Sequence, residues 1–255
     1  VTHPAFIAGI IDYFKDSGLE ADRIVIAEKG GGFEESGFTA IAAKREVKII
    51  DLDKDEIATI PLPQGRIFKE IGVAKSVKDG YLINVPKMKT HNLAITTLAM
   101  KNLQGVVTSK QRGFCGVEPW YRGREGELRP SGLTLHEEVF SNKICDLNLA
   151  LRPNLNVIEG VVGREGTGFH RGTNIPTKFA VAGVDAVTVD AFTSYLMGFK
   201  PEEIGYLKIA AERGLGQIDI SQMTVYEIRE GTLSLCDDVE SLVHKPPFKV
   251  IRGGW

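Results

Sequence analysis

The sequence predicts an α/β fold: a mixed or mostly parallel sheet with helices on both faces, in a single domain with a long lid-like loop. Two patterns predict the layering. Short apolar runs of strand length alternate with amphipathic stretches of helical period along most of the 255 residues, as in a sheet covered by helices. Gly and Pro close these segments where a helix must end or the chain must turn. A third observation predicts the loop. Residues 106–132 are rich in Gly and charge and show neither period, in a stretch too long for an ordinary connection.

The elements follow in order. Pro4 opens the first helix, where its missing N–H would have no intrahelical partner. Phe6, Ile7, Ile10, Ile11 and Phe14 fall at helical spacing, and Gly18 supplies a left-handed end. Residues 24–27 ("IVIA") read as a buried strand, 28–32 ("EKGGG") as a loop, 34–45 as a helix and 47–52 ("VKIIDL") as a strand. A strand near 57–60, a turn over 61–65 and a short helix over 68–77 come next. Residues 81–85 ("YLINV") read as a strand, "PKMKTH" as the loop leaving it, and 93–103 as a helix stopped by Gly105. After the long loop, Phe140, Ile144, Leu147 and Leu151 form the stripe of a helix over 135–151, ended by Pro153. Then come a strand over 155–160, a Gly-rich loop over 161–176, a strand over 178–183 and a helix over 184–198. A helix over 201–213 and a strand over 223–228 complete the reading. No repeat or linker divides residues 1–255, and the lack of an initial Met predicts a segment upstream of Val1.

Composition excludes several functions. The net charge of −2 argues against a general nucleic-acid surface. No apolar run reaches the length of a membrane span. The 3 cysteines are far apart, which argues against a disulfide framework, a zinc ribbon or an iron–sulfur cluster held by this chain alone. No signal peptide is visible, so the expected location is the cytoplasm.

Loops at the carboxyl ends of strands converge on one edge of an α/β sheet, and ligands bind there. "PKMKTH" puts Lys87, Lys89 and His91 on alternate residues, so in an extended segment they share one wall. Lysine suits a carboxylate or phosphate, and histidine a metal or a proton. The bland alternative is a solvated basic turn. Glu159 and Glu165 flank a Gly-rich stretch and suit a divalent metal or general-base work. Asp185 reads as a helix N-cap. Asp190 lies among apolar residues and needs a partner, for which a lysine of the cluster would serve. By spacing alone, Lys101 and Asn102 end a helix, His136 begins one, and Asp146 lies on a solvated face. "EKGGG" lacks both G-x-G-x-x-G and the Walker pattern, and no nucleophile–His pair is evident.

The segments "INVPKMKTH", "TTLAMKNLQGVV", "LHEEVF", "ICDLN", "NVIEGVVGREGTG", "AGVDAVTVDAFTSYLMGF" and "IAAERGLGQID", in this order, resemble the domain of unknown function 362 family. The likeness runs from residue 1 to about residue 220. The matching motif positions are Lys87, Lys89, His91, Lys101, Asn102, His136, Asp146, Glu159, Glu165, Asp185 and Asp190. The resemblance raises Lys101, Asn102 and His136 from caps to site candidates. Many members of that family are fused to a ferredoxin-like iron–sulfur module, which implies redox-related metabolism. This chain has no cluster-binding cysteine run.

The leading expectation is an enzyme for a small anionic molecule. His91, His136 and Lys89 would carry catalysis, while Lys87, Lys101, Asn102 and Asp190 would bind the ligand. Glu159 and Glu165 would hold a divalent metal, and the long loop would close as a lid. The alternative expectation is a non-catalytic partner or maturation factor for a ferredoxin-like iron–sulfur protein. Neither reading includes nucleic acid or a membrane.

Overall fold

The computed structural model describes residues 1–108, 110–168 and 171–252. The opening segment folds as its spacing predicts. Helix α1 (Pro4–Asp16) starts beside the capping His3. Strand β1 (Val25–Glu28) pairs in parallel with β2 (Lys48–Asp51), and α2 (Phe38–Arg45) connects them. Ile11, Ile26, Phe38, Ala42 and Val47 give this unit its own apolar cluster.

Strand β3 (Ile57–Pro61) pairs antiparallel with β4 (Glu70–Ala74), and α3 (Lys75–Asp79) follows. This corrects the helix expected over 68–77. "EIGVA" is a continuous apolar run buried from Ile71 to Ala74, and periodicity cannot tell such a run from a buried helix.

The principal sheet has six strands. It contains β5 (Ile83–Asn84), β6 (Lys87–His91), β7 (Ile95–Thr97), β8 (Leu155–Arg164), β9 (Asn174–Ile175) and β10 (Phe179–Gly183). The main path runs β10-β8-β6-β7, with β5 and β9 also paired to β8. Strands β5 and β6 run parallel to β8, while β9 and β10 run antiparallel to it. The mixed α/β class is therefore as predicted.

Three segments of this sheet differ from expectation. "KMKTH" is itself a strand, not a loop after one. The helix expected over 93–103 splits into β7 and a short α4 (Ala99–Asn102). Strand β8 also continues to Arg164, so Glu159 sits within a strand and not at the start of a loop.

Helix α5 (Leu135–Ala150) is almost wholly buried and packs against α7 (Gly205–Glu212), with α6 (Ala186–Leu196) between β10 and α7 in sequence. A capping box at Thr134 and Glu137 fixes the start of α5. The long loop before α5 contains Val107, Phe114 and Tyr121, all fully buried. These three side chains pin the loop to the interior and set the position of Cys115. A hairpin of β11 (Tyr226–Arg229) and β12 (Thr232–Leu235) lies near the end of the chain. Among the described residues no helix is long and apolar enough to cross a membrane.

Candidate functional site

The site is built on β6. Met88 and Thr90 are fully buried, and Lys87, Lys89 and His91 alternate with them along the strand, whose register against β8 shifts between Lys87 and Lys89. Lys87 lies opposite Glu159 in the parallel ladder. Its Nζ is 2.5 Å from Glu159 Oε2. The fully buried Glu159 also accepts from the amides of His3 at 3.3 Å and Val162 at 3.4 Å. Lys87 and Glu159 therefore neutralise each other.

Lys89 lies opposite Arg164. Burial, and then the charges of Lys101 and Arg164, push its amine down to about 8, against a smaller opposing effect of Glu28. Two cations beside a partly buried lysine make its own charge costly.

His91 is fully buried. Its Nδ1 accepts from the amides of Leu93 at 3.1 Å and Ala94 at 3.2 Å. The turn that delivers these amides ends at Ile95, whose φ of 66° is in the left-handed region, a costly conformation for a β-branched residue. With Nδ1 occupied as an acceptor, the neutral ring carries its proton on Nε2. That atom is 3.8 Å from Cys115 Sγ. Burial, followed by the repulsion of Lys101 and Lys89, pushes His91 down to about 3. The ring stacks on Phe140 with centroids 6.3 Å apart. This geometry suits a neutral N–H donor, as opposed to the metal ligand or proton shuttle expected from sequence.

Lys101 comes from α4 and is only 8% exposed. Its Nζ donates to the Gln104 carboxamide at 3.2 Å and lies 6.0 Å from the Phe140 ring centroid. Among the described residues no carboxylate comes within 4.0 Å of it. Burial lowers its pKa, and the Cys115 sulfur opposes that shift. Cys115 is partly buried. Burial pushes its thiol up despite Lys101 and Lys143, so it is held as a neutral S–H.

Several expected site residues hold this cluster in place from outside it. His136 Nε2 is 3.1 Å from the Cys115 carbonyl oxygen, which ties the loop to α5. Lys143, fully buried on α5, pairs with Glu118 at 2.5 Å and anchors the loop a second time. Asp190 was expected to meet a lysine. It accepts instead from the amides of Ala99 at 2.6 Å and Met100 at 3.0 Å, and from the Tyr206 hydroxyl at 3.3 Å. These amides open α4 and have no intrahelical partner, so Asp190 fixes the segment that carries Lys101. Burial pushes Asp190 up to about 7 against these hydrogen bonds. Asn102 donates to Asn84, which donates to Asn156.

Three carboxylates stand apart. Asp146 was read as solvated but is fully buried. It accepts from the amides of Arg66, Ile67 and Phe68 and from Arg213 at 2.7 Å. Asp185 caps α6 through the Thr188 amide at 2.6 Å, as expected. Glu165 accepts from the Lys249 amide at 2.9 Å. Glu159 and Glu165 thus face different partners. Among the described residues no group of three or more His, Cys, Asp or Glu could hold a metal ion.

The structure brings together Lys89, His91, Lys101 and Cys115. Sequence reasoning missed Cys115, which no motif marks. It also missed Lys143, although that residue is three positions from Phe140 on the apolar stripe, where a lysine is out of place.

No solved structure matches the chain. A thylakoid-associated protein of Synechocystis sp. is 21% identical over 220 residues, covering 85% of this chain. The chain spans 62% of that relative's length. A sequence model of the family described as domain of unknown function 362 matches residues 1–194. With the larger part of its length matched, including every residue of the Lys89–His91–Lys101–Cys115 cluster, the chain belongs to the domain of unknown function 362 family.

Proposed function

We propose that the protein is an enzyme that binds a small carboxylate or phosphate compound between Lys89 and Lys101. The His91 Nε2–H and the Cys115 thiol line the inner wall. One observation carries this reading: Lys101 is a buried amine with no carboxylate within 4.0 Å among the described residues. A buried charge without a partner is costly. Three other buried or half-buried cations have carboxylate partners, Lys87 in Glu159, Lys143 in Glu118 and Arg213 in Asp146. An anionic ligand would supply what Lys101 lacks. Lys89 and Arg164 would add to the attraction, and Lys89 and Cys115, each less buried than Lys101, lie toward solvent.

Thermal unfolding with inorganic phosphate, acetate and small dicarboxylates tests the reading. The melting temperature should rise with at least one of these anions and stay fixed in Lys101→Met. No shift with any of them in the unmutated protein would sink it.

A further inference from the structure

We infer that Lys101 is a covalent nucleophile that forms an imine with the carbonyl carbon of a 2-oxo acid, whose carboxylate is held by Lys89. The inference rests on the anion reading above and names the substrate class for that site.

Four features point this way. First, the hydrogen bond that Lys101 Nζ makes is to the neutral carboxamide of Gln104. A carboxylate there would lock the amine as an ammonium ion, and an ammonium ion cannot attack a carbonyl. Second, the amine is buried against the Phe140 ring and near the charge of Lys89. An apolar wall and a neighbouring cation are the two standard means of making a lysine nucleophilic. Third, the base of Lys101 is held rigidly. Asp190 takes the amides of Ala99 and Met100, and Asn148 donates to the Met100 carbonyl at 3.0 Å. A nucleophile on a fixed turn keeps its approach geometry. Fourth, His91 holds its Nε2–H in a fixed orientation, 3.8 Å from the Cys115 sulfur. A neutral imidazole N–H of this kind can donate to a carbonyl oxygen as negative charge builds on it.

The substrate class follows from the two amines. A 2-oxo acid has its carboxylate on the atom next to its electrophilic carbon. One lysine can hold the anion while its neighbour attacks. Lys101 first gives up its ammonium proton to solvent, a loss that its burial favours; the free amine then adds to the carbonyl carbon, and a proton from the nitrogen passes to the carbonyl oxygen. That oxygen then leaves as water when the carbon–nitrogen double bond forms. One amine and one carbonyl give one imine and one water, with no change in oxidation state.

Reductive trapping tests the inference. The whole protein is incubated with pyruvate and sodium borohydride, digested, and its peptides are mapped by mass spectrometry. Expected is a reduced adduct on Lys101 in the unmutated protein, suppressed by excess acetate. Lys101→Arg should lose the adduct while keeping the thermal shift with acetate. An acetate shift without any adduct on Lys101, or an adduct on Lys89 or spread over surface lysines, would overturn the covalent role and leave the anion reading standing. Loss of both adduct and shift in the unmutated protein would overturn both. Because the mapping is decisive on the unmutated protein, the test holds even if Lys101→Arg fails to fold.

Discussion

Asp146 and Lys101 are both ionisable side chains withdrawn from water, yet the protein surrounds them in opposite ways. Asp146, on α5, meets three consecutive backbone amides and the Arg213 guanidinium. Its acceptor capacity is filled from within the chain. Lys101, on α4, meets a neutral carboxamide, an aromatic ring and a thiol kept protonated by burial. The first arrangement is a clamp that fixes residues 66–68 against α5. The second has no carboxylate within 4.0 Å among the described residues, and the proposed anion would answer it. Both residues lie in the stretch matched by the family's sequence model, so family membership alone does not separate a structural residue from a candidate site residue. The partners do.

The largest break in this comparison comes from the clamp. Asp146→Ala removes the acceptor of three amides and leaves Arg213 buried without a partner. Losing one member of a buried pair costs about 3–5 kcal/mol. Denaturant unfolding should show that loss, while the anion-dependent gain in melting temperature survives in whatever fraction stays folded. A loss below about 1 kcal/mol would mean that water takes the place of the carboxylate readily.

The same kind of substitution at Lys101 should have the opposite sign. Lys101→Met keeps the stem's packing and removes a poorly compensated polar group, so the anion-free protein should gain about 1–2 kcal/mol. With an anion at a hundred times its Kd, the unmutated protein gains about 2.7 kcal/mol, and the ranking of the two proteins reverses. Measuring both unfolding curves with and without anion checks this. A Lys101→Met protein that is less stable under both conditions would make Lys101 a structural residue like Asp146. Asp185→Ala is the control with the smallest structural effect. It removes one cap bond, worth about 1 kcal/mol, and should leave the anion response unchanged.

The fold's layering was readable from period and punctuation, but the centre of the site was not. "KMKTH" alternates as a strand does, yet its four polar side chains, with Met88 as the one apolar residue, lack the apolar face that marks a strand. It forms one because β8 supplies a parallel ladder and Met88 and Thr90 face the core. The apparent helix over 93–103 failed because a turn closed by His91 Nδ1 and a left-handed Ile95 restarts the chain as β7. Asp190 carried a real signal, an acid in an apolar face, but the partner inferred for it was wrong. Backbone amides at a helix start can satisfy a buried carboxylate as well as a lysine can, and no sequence pattern shows which is near. Cys115 joins the cluster through the burial of Phe114 and the His136 contact, both of them long-range.

The finest test of the contrast is pH. Lys89 titrates near 8 in the folded protein, below its ordinary 10.5, so the folded chain binds fewer protons than the unfolded chain between those two values. Stability without anion should therefore rise as pH increases from about 8 toward 10.5, because the unfavourable buried charge is being removed. Anion affinity should move the other way, since the same proton supplies the attraction. At pH 8 about half of Lys89 has lost its charge, which predicts roughly twofold weaker binding than at pH 7. In Lys89→Met the affinity should be lower at pH 7 and should lose the part of the pH dependence that Lys89 supplies. Titration calorimetry at the two pH values reads both numbers. An affinity that does not change through pH 8 in the unmutated protein would remove Lys89 from the anion's shell. The unanswered charge would then be that of Lys101 alone.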